Sequence, residues 1–160
     1  MIEFNADEIF ELAEQIERNG AAFYRKAAAG AAEASADTLL RLAAMEDEHL
    51  QTFHEMRQAL ASAQRRPVTF DPDDQGAQYL RAMASGKVFK PASDPAAKLT
   101  GKESVEQVLR TAIGLEKDSI VFYVGLKKLV ADPRGQGKVE DIIEQEMGHI
   151  AILNEELAKV

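Results

Sequence analysis

Hydrophobic positions recur at spacings of three and four along most of the chain. Ile9, Leu12, Ala13, Ile16, Gly20, Phe23, Tyr24 and Ala27 form one such series, the period of one face of an α-helix. Asn5 with Glu8 three residues on has the form of a helix start, and Gly30 interrupts the series. Leu39, Leu42, Met45, His49, Phe53, Met56 and Leu60 form a second series, which predicts a helix from about 36 to 63 that cannot pass Pro67. A third helix is expected to open at Thr100, with Glu103 in the capping-box position. It carries Val105, Leu109, Ala112, Ile113, Glu116, Ile120, Tyr123 and Leu126 or Lys127 on one side, and Asp132-Pro133 closes it. A fourth runs from about 136 to 158 with Val139, Ile142, Ile143, Glu146, His149, Ile150, Leu153 and Leu157 inward. No run alternates as a β-strand does. The pattern predicts an all-α four-helix bundle of two antiparallel hairpins, 5–62 and 100–158, joined by a long crossover over 63–99.

The crossover holds Pro67, Pro72, Pro91 and Pro95. A structureless loop of that length is uncommon in a compact domain. Asp71-Pro72-Asp73-Asp74 offers an Asp cap, a proline in the first turn and acids near the positive helix end. Leu80, Met83 and Ala84 can face inward and Gly86 can stop the helix. A short extra helix is therefore expected near 72–85.

Composition narrows the chemistry. At 160 residues the chain is expected to form one domain, residues 1–160. It has no cysteine, which removes disulfides, Cys-based zinc sites, iron–sulfur clusters and thiol catalysis. His, Asp and Glu remain as strong metal ligands. Nineteen Lys and Arg against 27 Asp and Glu give a net charge of −8. An acidic chain with no basic block is a poor partner for nucleic acid or for an anionic membrane surface. No positively charged start precedes an apolar run, and no stretch approaches the length of a membrane span. The expected location is the cytoplasm.

A weak internal repeat carries the functional signal. The first half has Glu17, Phe23-Tyr24 and Glu46-Asp47-Glu48-His49; the second has Glu116, Phe122-Tyr123 and Glu146-Met147-Gly148-His149. The offset is 99 residues for the first two elements and 100 for the last. The midpoint between Glu17 and Glu46 falls beside Gly30, and that between Glu116 and Glu146 beside Asp132-Pro133, where turns are expected independently. In an antiparallel pair, residues equidistant from the turn lie at one height. Glu17 is thus expected level with Glu46, and Glu116 level with Glu146.

Each Glu-x-x-His puts a carboxylate and an imidazole on one helix face, within reach of one ion. Both motifs lie in apolar stripes, where ionised carboxylates cost several kcal/mol unless paired or ligated. Glu17, Glu46, Glu116 and Glu146 carry −4 when ionised, the complement of two divalent ions with His49 and His149 neutral. Oxygen and imidazole ligands without thiolate suit iron or manganese, with zinc as an alternative. The competing reading is two salt-bridged surface histidines on a plain helical bundle. His54, the third histidine, is expected at the surface or facing a partner, and Glu48 and Glu144 on solvated faces. Phe23, Phe53 and Phe122 read as core. Gly20, Gly114, Gly125 and Gly148 lie inside predicted helices, where each costs about 1 kcal/mol relative to Ala. Close helix approach near the site would compensate.

One Glu from each of two helices, plus a Glu-x-x-His from each of two others, is the established ligand pattern of ferritin-like di-iron and di-manganese proteins. Over both hairpins the sequence resembles the rubrerythrin-like branch of the ferritin-like superfamily. The resemblance implies a ferritin-like bundle with two metal ions, iron in the first instance, held by Glu17, Glu46, His49, Glu116, Glu146 and His149. Glu46 and Glu146 would bridge the ions. Tyr24 and Tyr123, seven residues after Glu17 and Glu116, would hydrogen-bond near the site. It also implies a non-haem oxidoreductase that reacts with peroxide or dioxygen. Rubrerythrins proper carry a cysteine-rich iron site, which this chain cannot build, so electrons would come from an external donor. They also tend to offer a Glu where Ser119 stands here, and Asp118 lies off that face. Alternatives are an iron-binding, ferroxidase or storage protein without turnover, and a bundle with a structural metal. Homodimerisation is left open.

Overall fold

The computed structural model describes residues 6–60, 78, 79, 82 and 94–160. Four long helices make up most of it: α1 (Ala6–Ala29), α2 (Glu33–Gln58), α3 (Val105–Leu129) and α4 (Pro133–Leu157). A single 3-10 turn at Ala96–Lys98 precedes α3. There is no strand among the described residues, and the architecture is an all-α four-helix bundle. No helix among them is long and apolar enough to cross a membrane. The closest pairings are α1 with α2 and α3 with α4, the two hairpins; α1 also meets α3, and α2 meets α4.

Local chemistry sets the boundaries. At the first turn Gly30 N donates to Ala27 O (3.2 Å) and Ala31 N to Ala28 O (3.1 Å), tightening the end of α1. α2 begins at Glu33, three residues before the expected start, behind Ala32, which makes no side-chain cap. No capping residue marks that start in the sequence. At the second turn Asp132 both ends the interruption and caps α4, accepting from Gly135 N at 3.0 Å. Pro133 takes the first helical position, where a missing N–H costs nothing. α4 thus starts three residues before the expected 136.

The Thr100 start is corrected. Glu103 does reach back, accepting from Thr100 N (2.9 Å) and Gly101 N (2.9 Å). Gly101, however, has φ +79°, which turns the chain out of the helical region. α3 begins instead behind Ser104, whose Oγ accepts from Gln107 N (3.2 Å) while Gln107 Oε1 accepts from Ser104 N (2.8 Å), a reciprocal capping box. Within the crossover Gln78, Tyr79 and Ala82 are helical, inside the expected short helix. Tyr79 Oη donates to the Val121 carbonyl of α3. Asn5, Pro67, Asp71 to Asp74, Leu80, Met83, Ala84 and Gly86 lie outside the described residues.

The core is two apolar layers. One joins Ile9, Phe10, Ala13 and Ile16 to Phe53, Phe122, Leu126, Val139 and Ile142. The other joins Phe23, Ala27 and Ala28 to Leu39, Leu42, Leu109, Ala112 and Leu153. Phe23, Phe53 and Phe122 are fully buried. At the outer edge Arg57 clamps α2 to α1, donating to both Asp7 oxygens at 3.1 and 2.9 Å. In sequence, the level between the layers on all four helices belongs to the Glu and His residues.

Candidate metal centre

Glu17 on α1, Glu46 and His49 on α2, Glu116 on α3, and Glu146 and His149 on α4 converge at that level. All six are buried, none more than 3% exposed. Their ligand atoms form two groups, each within a 4.8 Å span: Glu17, Glu46, His49 and Glu146, and Glu46, Glu116, Glu146 and His149. Glu46 and Glu146 belong to both. The two imidazoles stack, ring centres 5.5 Å apart and planes 17° from parallel.

Both rings turn Nδ1 towards the carboxylates. His49 Nδ1 lies 3.5 Å from Glu17 Oε2 and 3.2 Å from Glu146 Oε1. His149 Nδ1 lies 2.8 Å from Glu146 Oε2, 3.1 Å from Glu46 Oε1 and 3.6 Å from Glu116 Oε1. None of these approaches has hydrogen-bond alignment. Glu17 Oε2, Glu46 Oε1, both Glu146 oxygens and both Nδ1 atoms are buried without a hydrogen-bond partner among the described residues. Buried polar atoms are nearly always satisfied in native proteins. Unsatisfied lone pairs from four helices that aim at one space fit a cation, and two overlapping donor sets of oxygen and imidazole fit two divalent ions.

The tyrosines cross over. Tyr24 of α1 donates to Glu116 Oε1 of α3, and Tyr123 of α3 donates to Glu17 Oε1 of α1. Each phenol thus orients the carboxylate of the opposite hairpin. Phe53 packs its ring on Tyr123, centres 4.9 Å apart, which helps to fix that hydroxyl.

The electrostatics show how the pocket behaves without ions. Burial, then repulsion between neighbouring carboxylates, raises Glu17, Glu46 and Glu116 well above the usual carboxylate range. Burial works in the same sense on Glu146, but His149 and His49 outweigh it and hold that carboxyl low. Burial opposes the charge on His149, yet Glu116, Glu146 and Glu46 push it up to about 12. His49 is also raised, through Glu146 against its own burial. Protons stand in for cations.

Gly20 has a site-related reason to be glycine. A Cβ there would come 3.1 Å from Glu46 Oε2, tighter than most side-chain contacts. The expected close approach is absent at Gly114 and Gly148, where a Cβ would meet nothing within 4 Å among the described residues; Gly125 is buried. Gly148→Ala is therefore expected to stabilise the fold by about 1 kcal/mol through helix propensity, read by urea denaturation. Gly20→Ala is expected to give no such gain and to weaken metal binding. The same stabilisation in both would show that Gly20 does not make room for Glu46.

Ser119 is buried and its Oγ donates back to Leu115 O (3.0 Å), so that position adds no fifth carboxylate. Asp118 is exposed. His54 is half-exposed and 3.3 Å from Glu14, away from the centre, and Glu48 and Glu144 face solvent. The hydrophobic pattern missed Gln145. It is an exposed polar residue on α4, and its Oε1 lies 3.1 Å from His49 Nε2. Only its place beside Glu146 could have drawn attention to it.

The sequence matches the model of the family described as "Ferritin-like domain" over residues 5–159. The chain belongs to the ferritin-like domain family. The fold agrees with a solved structure from Thermotoga maritima, a protein assigned as ferritin-like and diiron-carboxylate. The TM-score is 0.73 at 24% identity, over 99% of this chain and 97% of that one. At that identity the likeness establishes the fold. No curated protein matches the chain. In this ferritin-like chain the buried Glu and His residues form two groups whose atoms could each hold an ion.

Proposed function

We propose that this protein is a non-haem dinuclear metal oxidoreductase of rubrerythrin-like type, holding two iron ions and reducing hydrogen peroxide or dioxygen with electrons from an external donor. The observation that supports it best is the pair of overlapping ligand groups that share Glu46 and Glu146. A single structural ion needs one group. Two groups with two shared carboxylates suit a pair of ions that Glu46 and Glu146 would serve together.

In this reading Glu17 and His49 end one position, Glu116 and His149 end the other, and Glu46 and Glu146 serve both. Two ferrous ions bound there would supply the two electrons that, with two protons, turn peroxide into two waters. The chain's part is to gather charge, hold geometry and exclude water. Four carboxylates neutralise +4 once their protons have left. Tyr24 and Tyr123 restrain Glu116 and Glu17 and keep one oxygen of each from swinging away. The two apolar layers seal the level from above and below. With no cysteine in the chain, there is no thiolate relay within it, and re-reduction falls to a donor outside it.

Anaerobic titration with Fe(II) is expected to give two tightly held irons per chain. Addition of peroxide and a reductant should then give steady peroxide consumption. Two irons without turnover would replace the oxidoreductase by an iron-binding or ferroxidase-type protein. Zero or one iron would end the dinuclear reading.

A further inference from the structure

The two halves of the centre are not equally supported. His49 Nε2 faces Gln145 Oε1 at 3.1 Å. An amide oxygen only accepts, so Nε2 carries a proton, and Nδ1, turned towards Glu17 and Glu146, is the nitrogen left to bind an ion once its own proton is gone. His149 makes the matching approach to the carboxylates through Nδ1, but its Nε2 is buried with no hydrogen-bond partner among the described residues. The repeat explains the difference. His49 and Glu46 correspond to His149 and Glu146 at an offset of 100, and at that offset Gln145 corresponds to Met45. A thioether is at best a weak acceptor. The hydrogen bond that fixes one imidazole thus has no counterpart in the other half.

We propose that Gln145 is a positioning residue for His49, and that its lack of a counterpart at Met45 makes the Glu17–His49 position the tighter of two unequal metal positions. This rests on the reading above that the cluster holds two ions. A partner on the outer nitrogen fixes the tautomer, aims the ring and makes it more basic. Loss of such a partner typically costs 10–100-fold in metal affinity. Gln145 lies at the solvent-exposed side of α4, so it can be changed without touching the core.

The probe is Co(II), which is redox-quiet without oxidant, titrated calorimetrically into metal-stripped protein against a competing chelator. Two steps are expected. Repulsion between the ions alone can separate them, so the variants decide. Gln145→Leu should weaken the tighter step by about 10–100-fold and leave the other in place. Gln145→Glu, which keeps an acceptor, should preserve it. Met45→Gln should tighten the weaker step, a gain that misfolding cannot produce. Two equal affinities in the native protein, or a tight step unchanged in Gln145→Leu together with a weak step unchanged in Met45→Gln, would overturn the inference and leave the dinuclear reading standing. No Co(II) bound at all would remove both.

Discussion

Loading the metal-stripped protein with divalent ions is expected to raise its melting midpoint, and the rise should grow with pH. A ligand present at a thousand times its Kd stabilises the folded state by about 4 kcal/mol per site. At about 2–4 °C per kcal/mol for a domain of this size, that is roughly 8–16 °C for each ion. The pH dependence follows from the protons held in the metal-free pocket. Glu17, Glu46 and Glu116 have folded-state values raised above the ordinary 4.5, His49 is raised above 6.5, and His149 stands at about 12. Above about pH 4.5 the folded metal-free state therefore binds more protons than the unfolded chain. Stability then falls as pH rises. For the two imidazoles the contribution is complete below their unfolded value and is lost as pH climbs towards the folded one. The three raised carboxyls act in the same sense, because charging them while buried is increasingly costly.

The loaded protein holds few of those protons, since metal ligands must be deprotonated. Its stability should lack this decline, and the gap between loaded and stripped protein should widen from pH 5 to pH 8. Calorimetric titration in buffers of different ionisation enthalpy should show several protons leaving per pair of ions, drawn from three carboxyls and two imidazoles. Differential scanning calorimetry with and without Co(II) at three pH values checks the stability side. A gap that is constant or narrows with rising pH would show that the pocket is not held by protons when metal-free.

Much of this arrangement is legible in the sequence because one periodicity carries two messages. The three-and-four spacing that places Ile9, Phe23, Leu42 and Leu153 in the core also places Glu17, Glu46, Glu116 and Glu146 among them. A charged residue in an apolar stripe is conspicuous. Equal hairpin arms then bring the four to one level without any knowledge of side-chain conformation. What escaped the pattern depends on atoms rather than on faces. Nothing in the spacing says that Tyr24 crosses to Glu116 and Tyr123 to Glu17; hydrogen-bond choice across a bundle depends on rotamers and on helix rotation. Gln145 is inconspicuous in the sequence because an exposed glutamine on a helix is ordinary, and only its contact with His49 distinguishes it. The start of α3 was misplaced because Thr100–Glu103 has the form of a capping box, and the positive φ of Gly101 moves the helix on to Ser104. Gly114 and Gly148 read like Gly20, yet only the last faces a ligand carboxylate.

Replacing a shared carboxylate is expected to do more damage than replacing a terminal one. Glu46 and Glu146 each belong to both ligand groups, whereas Glu17 and Glu116 belong to one apiece. If the cluster holds two ions as proposed, Glu46→Ala or Glu146→Ala takes a ligand from both positions and removes negative charge that both ions would share. Occupancy is expected to fall from two ions to at most one. Glu17→Ala and Glu116→Ala should each spare one position, Glu17→Ala leaving the Glu116–His149 side. The fold supplies its own control. In the metal-free state Glu46 is a buried carboxyl whose burial is unfavourable, so its removal relieves a cost while leaving a small cavity. The two effects oppose each other, and the melting midpoint of stripped Glu46→Ala should stay near that of the stripped native protein. The metal-induced rise should largely vanish. Inductively coupled plasma analysis after gel filtration counts the ions, and melting curves with and without Co(II) report the coupling. Full two-ion occupancy in either shared-carboxylate variant would remove the bridging role, and equal losses in all four variants would mean that the cluster is one indivisible site with no terminal ligands.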